Sequence, residues 1–158
     1  MASSGVSVAP DCVTAFNELK LGKDVKWIVY KIADNGKEIV VEHQEKKSEG
    51  TEEAQWDAFR EYLCNSKSKS KDGSEGPGAR YAVYDVQYAA PGGEGTRNKI
   101  AFLSWIPDNL AIRPKMLYSS SKDAIKHSLN GIAVDIQAND ESDIEFESIL
   151  ATITKGRH

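Results

Sequence analysis

The chain has 158 residues, 28% of them charged and 40% hydrophobic, with a formal net charge of −4 at pH 7. That length fits one domain with a real core, the composition is that of a soluble globular protein, and the net charge excludes a bulk basic field for nucleic acid. No apolar run approaches the length of a membrane span, and the N-terminus lacks a signal-peptide core.

Residues 1–9 (MASSGVSVA) are small and polar and read as a flexible tail. Asp11 is placed to cap a first helix that aligns Cys12, Phe16 and Leu19 on one face and ends at Leu21-Gly22. Residues 25–33 (VKWIVYKIA) are β-branched and aromatic and predict a strand, which Asp34-Asn35-Gly36 turns into a hairpin with 37–42. A helix follows at about 51–63, with Trp56, Phe59 and Leu63 at helical spacing. Residues 65–79 (NSKSKSKDGSEGPGA) are low in complexity and read as a mobile loop. Two strands at 81–88 and 98–105 are joined by a glycine-rich hairpin loop, and a phosphate-binding role for that loop is rejected because it runs from strand to strand, not into a helix. Arg97 and Lys99 at its exit lie two apart and point to one side of the strand. A further short strand at 132–137 and an acidic helix at about 141–153 complete the chain. The expected fold is α+β, a single domain over 10–153 with a central mixed sheet sandwiched by helices.

Residues 112–131 (IRPKMLYSSSKDAIKHSLNG) stand out. A proline opens this helix, Asn130-Gly131 closes it, and Tyr118, Ile125 and Leu129 line one side. Lys115, Lys122 and Lys126 repeat that spacing on another side, with Met116, Asp123 and His127 beside them, so a basic stripe and an exposed thioether are expected to face solvent. Residues 113–127 carry a net +3, whereas 140–147 carry −5. Such a basic face on an acidic protein suits acidic protein surfaces or anionic lipid headgroups, although taken alone the helix pattern favours an ordinary wet surface helix. Cys12 and Cys64 read as reduced, small hydrophobes in a cytosolic protein. A hydrolase pairing Cys12 or Cys64 with His43 or His127 would need a local nucleophile signature, and the sequence has none.

These pieces resemble one family. The segments TAFNELKLGK, RYAVYDVQY, NKIAFLSWIPD and above all IRPKMLYSSSKDAIKHSLNG match the actin-depolymerising factor/cofilin family in order, from Ser4 to about Leu150, and the tail and length are similar to those of fungal or protist members. The resemblance implies the actin-depolymerising factor homology fold and a non-enzymatic protein without cofactor or metal. It implies binding to actin monomers and filament sides, with severing and depolymerisation. Its monomer-and-filament surface would comprise Ser4, Gly5, Val6, Arg113, Lys115, Met116, Lys122, Asp123 and Lys126. A filament-specific surface would include Arg97, Lys99 and Glu145. Phosphorylation of Ser4 (or Ser3) and binding of phosphatidylinositol bisphosphate would regulate it. A monomer in the cytoplasm and actin cytoskeleton is implied, with nuclear presence open, because residues 22–27 (GKDVKW) lack the basic import-type run of some animal members. His127 stands where members often carry a fixed positive charge and becomes a candidate pH sensor. A coactosin-like side binder and a lipid-surface adaptor are the neighbouring possibilities.

Overall fold

This computed structural model describes residues 6–21, 24–33, 36–69, 75–89 and 95–155. In chain order the elements are β1 (Ser7–Val8), α1 (Pro10–Lys20), β2 (Val25–Ile32), β3 (Glu38–Lys46), α2 (Glu52–Cys64), β4 (Lys67–Lys69), β5 (Glu75–Pro77), β6 (Arg80–Ala89), β7 (Thr96–Trp105), α3 (Ile112–Ser128), β8 (Val134–Ala138), a 3-10 turn (Glu141–Ile144) and α4 (Phe146–Lys155). Among the described residues, six strands form one sheet in the order β1-β3-β2-β6-β7-β8. Its inner pairs are antiparallel, while β1 joins β3 and β8 joins β7 in parallel, so the sheet is mixed.

Strand alternation explains the layers. In β2, Ile28, Tyr30 and Ile32 point to one face, where α1 adds Phe16 and Leu19 and α3 adds Tyr118 and Ile125. Trp27 and Val29 point to the other, against Trp56, Phe59 and Leu63 of α2 and Ile149 and Ile153 of α4. Sealing both faces makes β2 almost wholly buried, as a strand covered by helices on each side must be. Each fully buried large apolar side chain contributes about 1.5–3 kcal/mol relative to exposure, so the two clusters fix the order of layers.

Four expectations are corrected. Residues 6–9 are not a flexible tail: Val6 is buried, and the backbone N–H groups of Ser7 and Ala9 donate to the carbonyls of Lys37 and Ile39 at 3.0 and 2.9 Å. The open edge of β3 offers those partners, and an apolar Val6 fills the core beneath. Ser3, Ser4 and Gly5 lie outside the described residues, as do Gly22 and the turn residues Asp34 and Asn35. Asp11 does not cap α1; Pro10 opens the helix behind Ala9, and Asp11 sits in the first turn, where its charge complements the helix dipole.

In the segment expected as a mobile loop at 65–79, β4 and β5 pair antiparallel, and residues 70–74 lie outside the described residues. The pair's anchor is Arg80, 2% exposed, whose guanidinium grips Glu42 through two nitrogens (2.8 and 3.2 Å), the Ser68 hydroxyl (3.0 Å) and the Lys67 carbonyl (2.7 Å). Gly78 makes room for this cluster, since a Cβ there would stand 2.4 Å from Ser68 Oγ and 2.7 Å from Arg80 Nη1. The acidic helix expected at 141–153 is also broken at Glu145, which is extended (ψ 143°). The Ile144 carbonyl accepts the Trp56 indole N–H at 2.7 Å, and Asp140 caps the preceding turn, so α4 starts afresh.

Candidate functional site

Helix α3 is set on the sheet by a few deep contacts. Tyr118, Ser121 and Ile125 are buried; the Tyr118 hydroxyl accepts the Ile32 backbone N–H at 2.9 Å, and the Tyr118 carbonyl accepts the Tyr81 hydroxyl. Desolvation dominates the upward shift of both phenols, so they stay neutral donors and acceptors in the core. Past Ser128 the chain turns at Gly131 (φ +116°), a conformation a side chain would strain, and Lys20 packs so close that a Cβ there would lie 2.9 Å from its Cδ. Lys20 Nζ also donates to the Asn130 carbonyl at 2.8 Å, tying α1 to the end of α3.

This anchoring decides which residues α3 presents. At about 100° per residue, Lys122, Lys115 and Lys126 lie roughly 40 to 80° round the helix from Tyr118, beside the buried stripe. The basic row is therefore a half-buried flank, a correction to the solvent-facing stripe expected from spacing. Lys115 Nζ donates to the Asp108 carbonyl at 2.9 Å. Lys122 and Lys126 reach the two oxygens of Asp135 on β8, at 3.3 and 2.5 Å. Farther round, Ile112, Arg113, Met116, Asp123 and His127 are exposed. Ile112 and Met116, one turn apart at 71% and 64% exposure, make an apolar knob between cations.

Two residues here escaped the sequence reading. Asp135 carried no signal, because its link to α3 exists only once β8 docks parallel to β7. Ile112 could have been found from its i, i+4 relation to Met116. Val6 is buried, so its side chain positions the segment on the core.

The hairpin residues belong to a different layer. Strand β7 sends Ala101, Leu103 and Trp105 to the α2/α4 side, so Arg97 and Lys99 share that side by alternation. Arg97 is exposed. Lys99 is no freely solvated strand end: its ammonium donates to the Ile153 carbonyl at 3.0 Å, in the last turns of α4, and lies 5.8 Å from the centre of the Tyr88 ring. A cation there complements the helix dipole. Glu145 is exposed at the other end of α4, about 12 Å away along the helix axis at 1.5 Å per residue. The structure thus groups Arg113, Lys115, Met116, Lys122, Asp123, Lys126 and His127 on α3 and sets Arg97 and Lys99 apart from Glu145.

No thiol is poised for catalysis. Cys12 is fully buried, its thiol donating to the Ile39 carbonyl, and burial pushes it up to about 12. Cys64 is raised by burial too, and it lines a pocket of about 270 Å³ with Trp105, Asp108 and Asn139 that no histidine lines. His43 stacks on Tyr62 and bonds Glu45 in another cleft. Because the thiolate is the nucleophile, iodoacetamide at pH 8 is expected to label native Cys64 slowly and Cys12 only on unfolding, as mass spectrometry over time would register. Rapid native labelling of either would contradict this. Among the described residues no group of three His, Cys, Asp or Glu side chains could hold a metal, and no helix is long and apolar enough to cross a membrane.

This fold recurs in solved structures. A crystal structure of Streptomyces griseoflavus cofilin superposes with a TM-score of 0.78 at 35% identity, covering 97% of this chain and 100% of that one. Plasmodium berghei actin depolymerization factor 2 gives 0.79 at 29% identity, with 96% and 98% covered. Residues 5–154 match the family described as cofilin/tropomyosin-type actin-binding protein. Cofilin of the fungus Gibberella zeae is 52% identical over 156 residues, 99% of this chain and 98% of the relative, and cofilin of Saccharomyces cerevisiae is 40% identical, with 99% and 97% covered. The chain belongs to the cofilin/actin-depolymerising factor family of actin-binding proteins.

Proposed function

We propose that this protein binds actin monomers and the sides of actin filaments, severs filaments and promotes their depolymerisation. The observation that carries this reading is the outer face of α3, where the exposed Ile112–Met116 knob is flanked by Arg113 and by lysines already held in place. A flexible thioether fills an irregular apolar recess, while cations around it steer encounter with acidic actin and fix orientation. Ser4 and Gly5 would join this surface, next to the β1 segment that leads to α1. A phosphate on Ser4 (or Ser3) would add nearly two negative charges and weaken attraction to an acidic partner. Phosphatidylinositol bisphosphate would compete for the same cations.

Severing asks for no catalytic group. If the bound protein favours an altered filament geometry, its binding energy shifts the filament's equilibrium, and strain gathers where bound and bare stretches meet. The protein would act as a monomer in the cytoplasm, on the actin cytoskeleton. Arg97 and Lys99, a layer away from α3, would touch only a filament, with Glu145 as a peripheral contributor. Arg97→Ala with Lys99→Ala is expected to weaken filament binding about tenfold, or ~1.4 kcal/mol, and to leave monomer affinity unchanged. Since Lys99 also holds the end of α4, a melting curve of the double variant accompanies the binding assay. Equal losses on monomers and filaments would overturn the two-surface assignment.

A further inference from the structure

Asp135 has a position that the basic helix needs. Along β8, Val134, Ile136 and Ala138 pack against the α2/α4 cluster, which turns Asp135 to the α3 side of the sheet. There Oδ1 lies 3.3 Å from Lys122 Nζ and Oδ2 lies 2.5 Å from Lys126 Nζ. Two lysines four apart on a helix repel one another and lean away. One carboxylate between them replaces that repulsion with a bridge and leaves the triad at +1. The side chains of Lys122, Lys126 and Asp135 are 21%, 32% and 32% exposed, so a partner can still reach the ammoniums from outside. Asp123 on the same helix is exposed and faces outward.

We infer that Asp135 is a positioning residue for actin binding: it holds Lys122 and Lys126 in one arrangement before the partner arrives. This rests on the reading of α3 as the actin-facing helix. Free lysines would each lose rotamer entropy on docking, a cost that pre-ordering lowers. The carboxylate also reduces the local positive charge. Its removal therefore acts in opposite directions on the two rate constants, since net charge governs encounter and contact geometry governs dissociation.

The test is stopped-flow binding of the full chain to fluorescently labelled actin monomers at low salt. For Asp135→Asn the association rate constant is expected to rise about 1.5- to 2-fold and the dissociation rate constant about 6- to 10-fold, weakening Kd about three- to sevenfold. Asp135→Glu, which keeps a carboxylate within reach of both amines, is expected to restore wild-type dissociation. Unchanged or tighter binding by Asp135→Asn, or no rescue by Asp135→Glu, would overturn the inference. Lys122→Ala serves as the companion arm. If it weakens binding while Asp135→Asn does not, the positioning role alone fails; if it has no effect, the α3 reading fails and the inference with it.

Discussion

Alanine at both Lys115 and Lys122 is expected to weaken actin-monomer binding at least about a hundredfold. Each substitution removes a charged donor, and a hydrogen bond to a charged group contributes about 1.5–3 kcal/mol, so losing two corresponds to ~3 kcal/mol or more. The domain should stay folded. Lys122 and Asp135 are both partly exposed, and such pairs contribute only about 0–1 kcal/mol to stability. Lys126 remains to neutralise Asp135, and Lys115 gives up one bond to a loop carbonyl. Isothermal titration against monomers, with a melting curve beside it, separates these effects. A matching fall in melting temperature would move the cause from interface to fold.

The largest expected effect on stability lies on the other face of the sheet. Lys26 on β2 is 4% exposed, and its ammonium bonds both oxygens of Glu52 at 2.7 and 3.0 Å. Glu52 Oε2 also accepts the Gln87 backbone N–H at 2.9 Å, so this one carboxylate ties the start of α2 to β2 and β6. Glu52→Ala would leave a buried ammonium without its paired carboxylate, with the Tyr84 ring centroid 5.3 Å away. The expected cost is about 3–5 kcal/mol, read as a lower urea midpoint at unchanged slope. Lys26→Met combined with Glu52→Leu removes the charge together with its partner and should cost markedly less than Glu52→Ala alone. A Glu52→Ala loss below about 1 kcal/mol would mean that Lys26 swings out to water.

Local periodicity made much of this architecture legible. Tyr118, Ile125 and Leu129 at helical spacing identified the buried side of α3, and the structure buries all three. The strand expected at 98–105 forms within β7, which pairs on both sides. What local pattern missed was supplied by distant partners. Nothing near Ser7 announces the open edge of β3 to which it pairs. The β4–β5 pair looked like a linker because its anchor, Arg80, sits in the next strand and its counter-ion Glu42 in an earlier one. The break at Glu145 depends on a tryptophan 88 residues before Ile144.

The same contrast holds for the surface. The identities of Lys115, Met116 and Lys122 were readable from the chain, but their orientation was not. Spacing put the lysines on one side of a helix. Only the depth of Tyr118 and the arrival of β8 decide that the lysines flank the exposed face while Met116 crowns it.

High-speed co-sedimentation with preformed actin filaments tests the central claim most directly. Across a range of protein concentrations, the protein is expected to saturate the pellet near one molecule per actin subunit while actin moves into the supernatant. Saturation without that movement would contradict severing and depolymerisation and indicate a coactosin-like side binder. Absence from the pellet, with no rise in soluble actin, would contradict filament binding altogether.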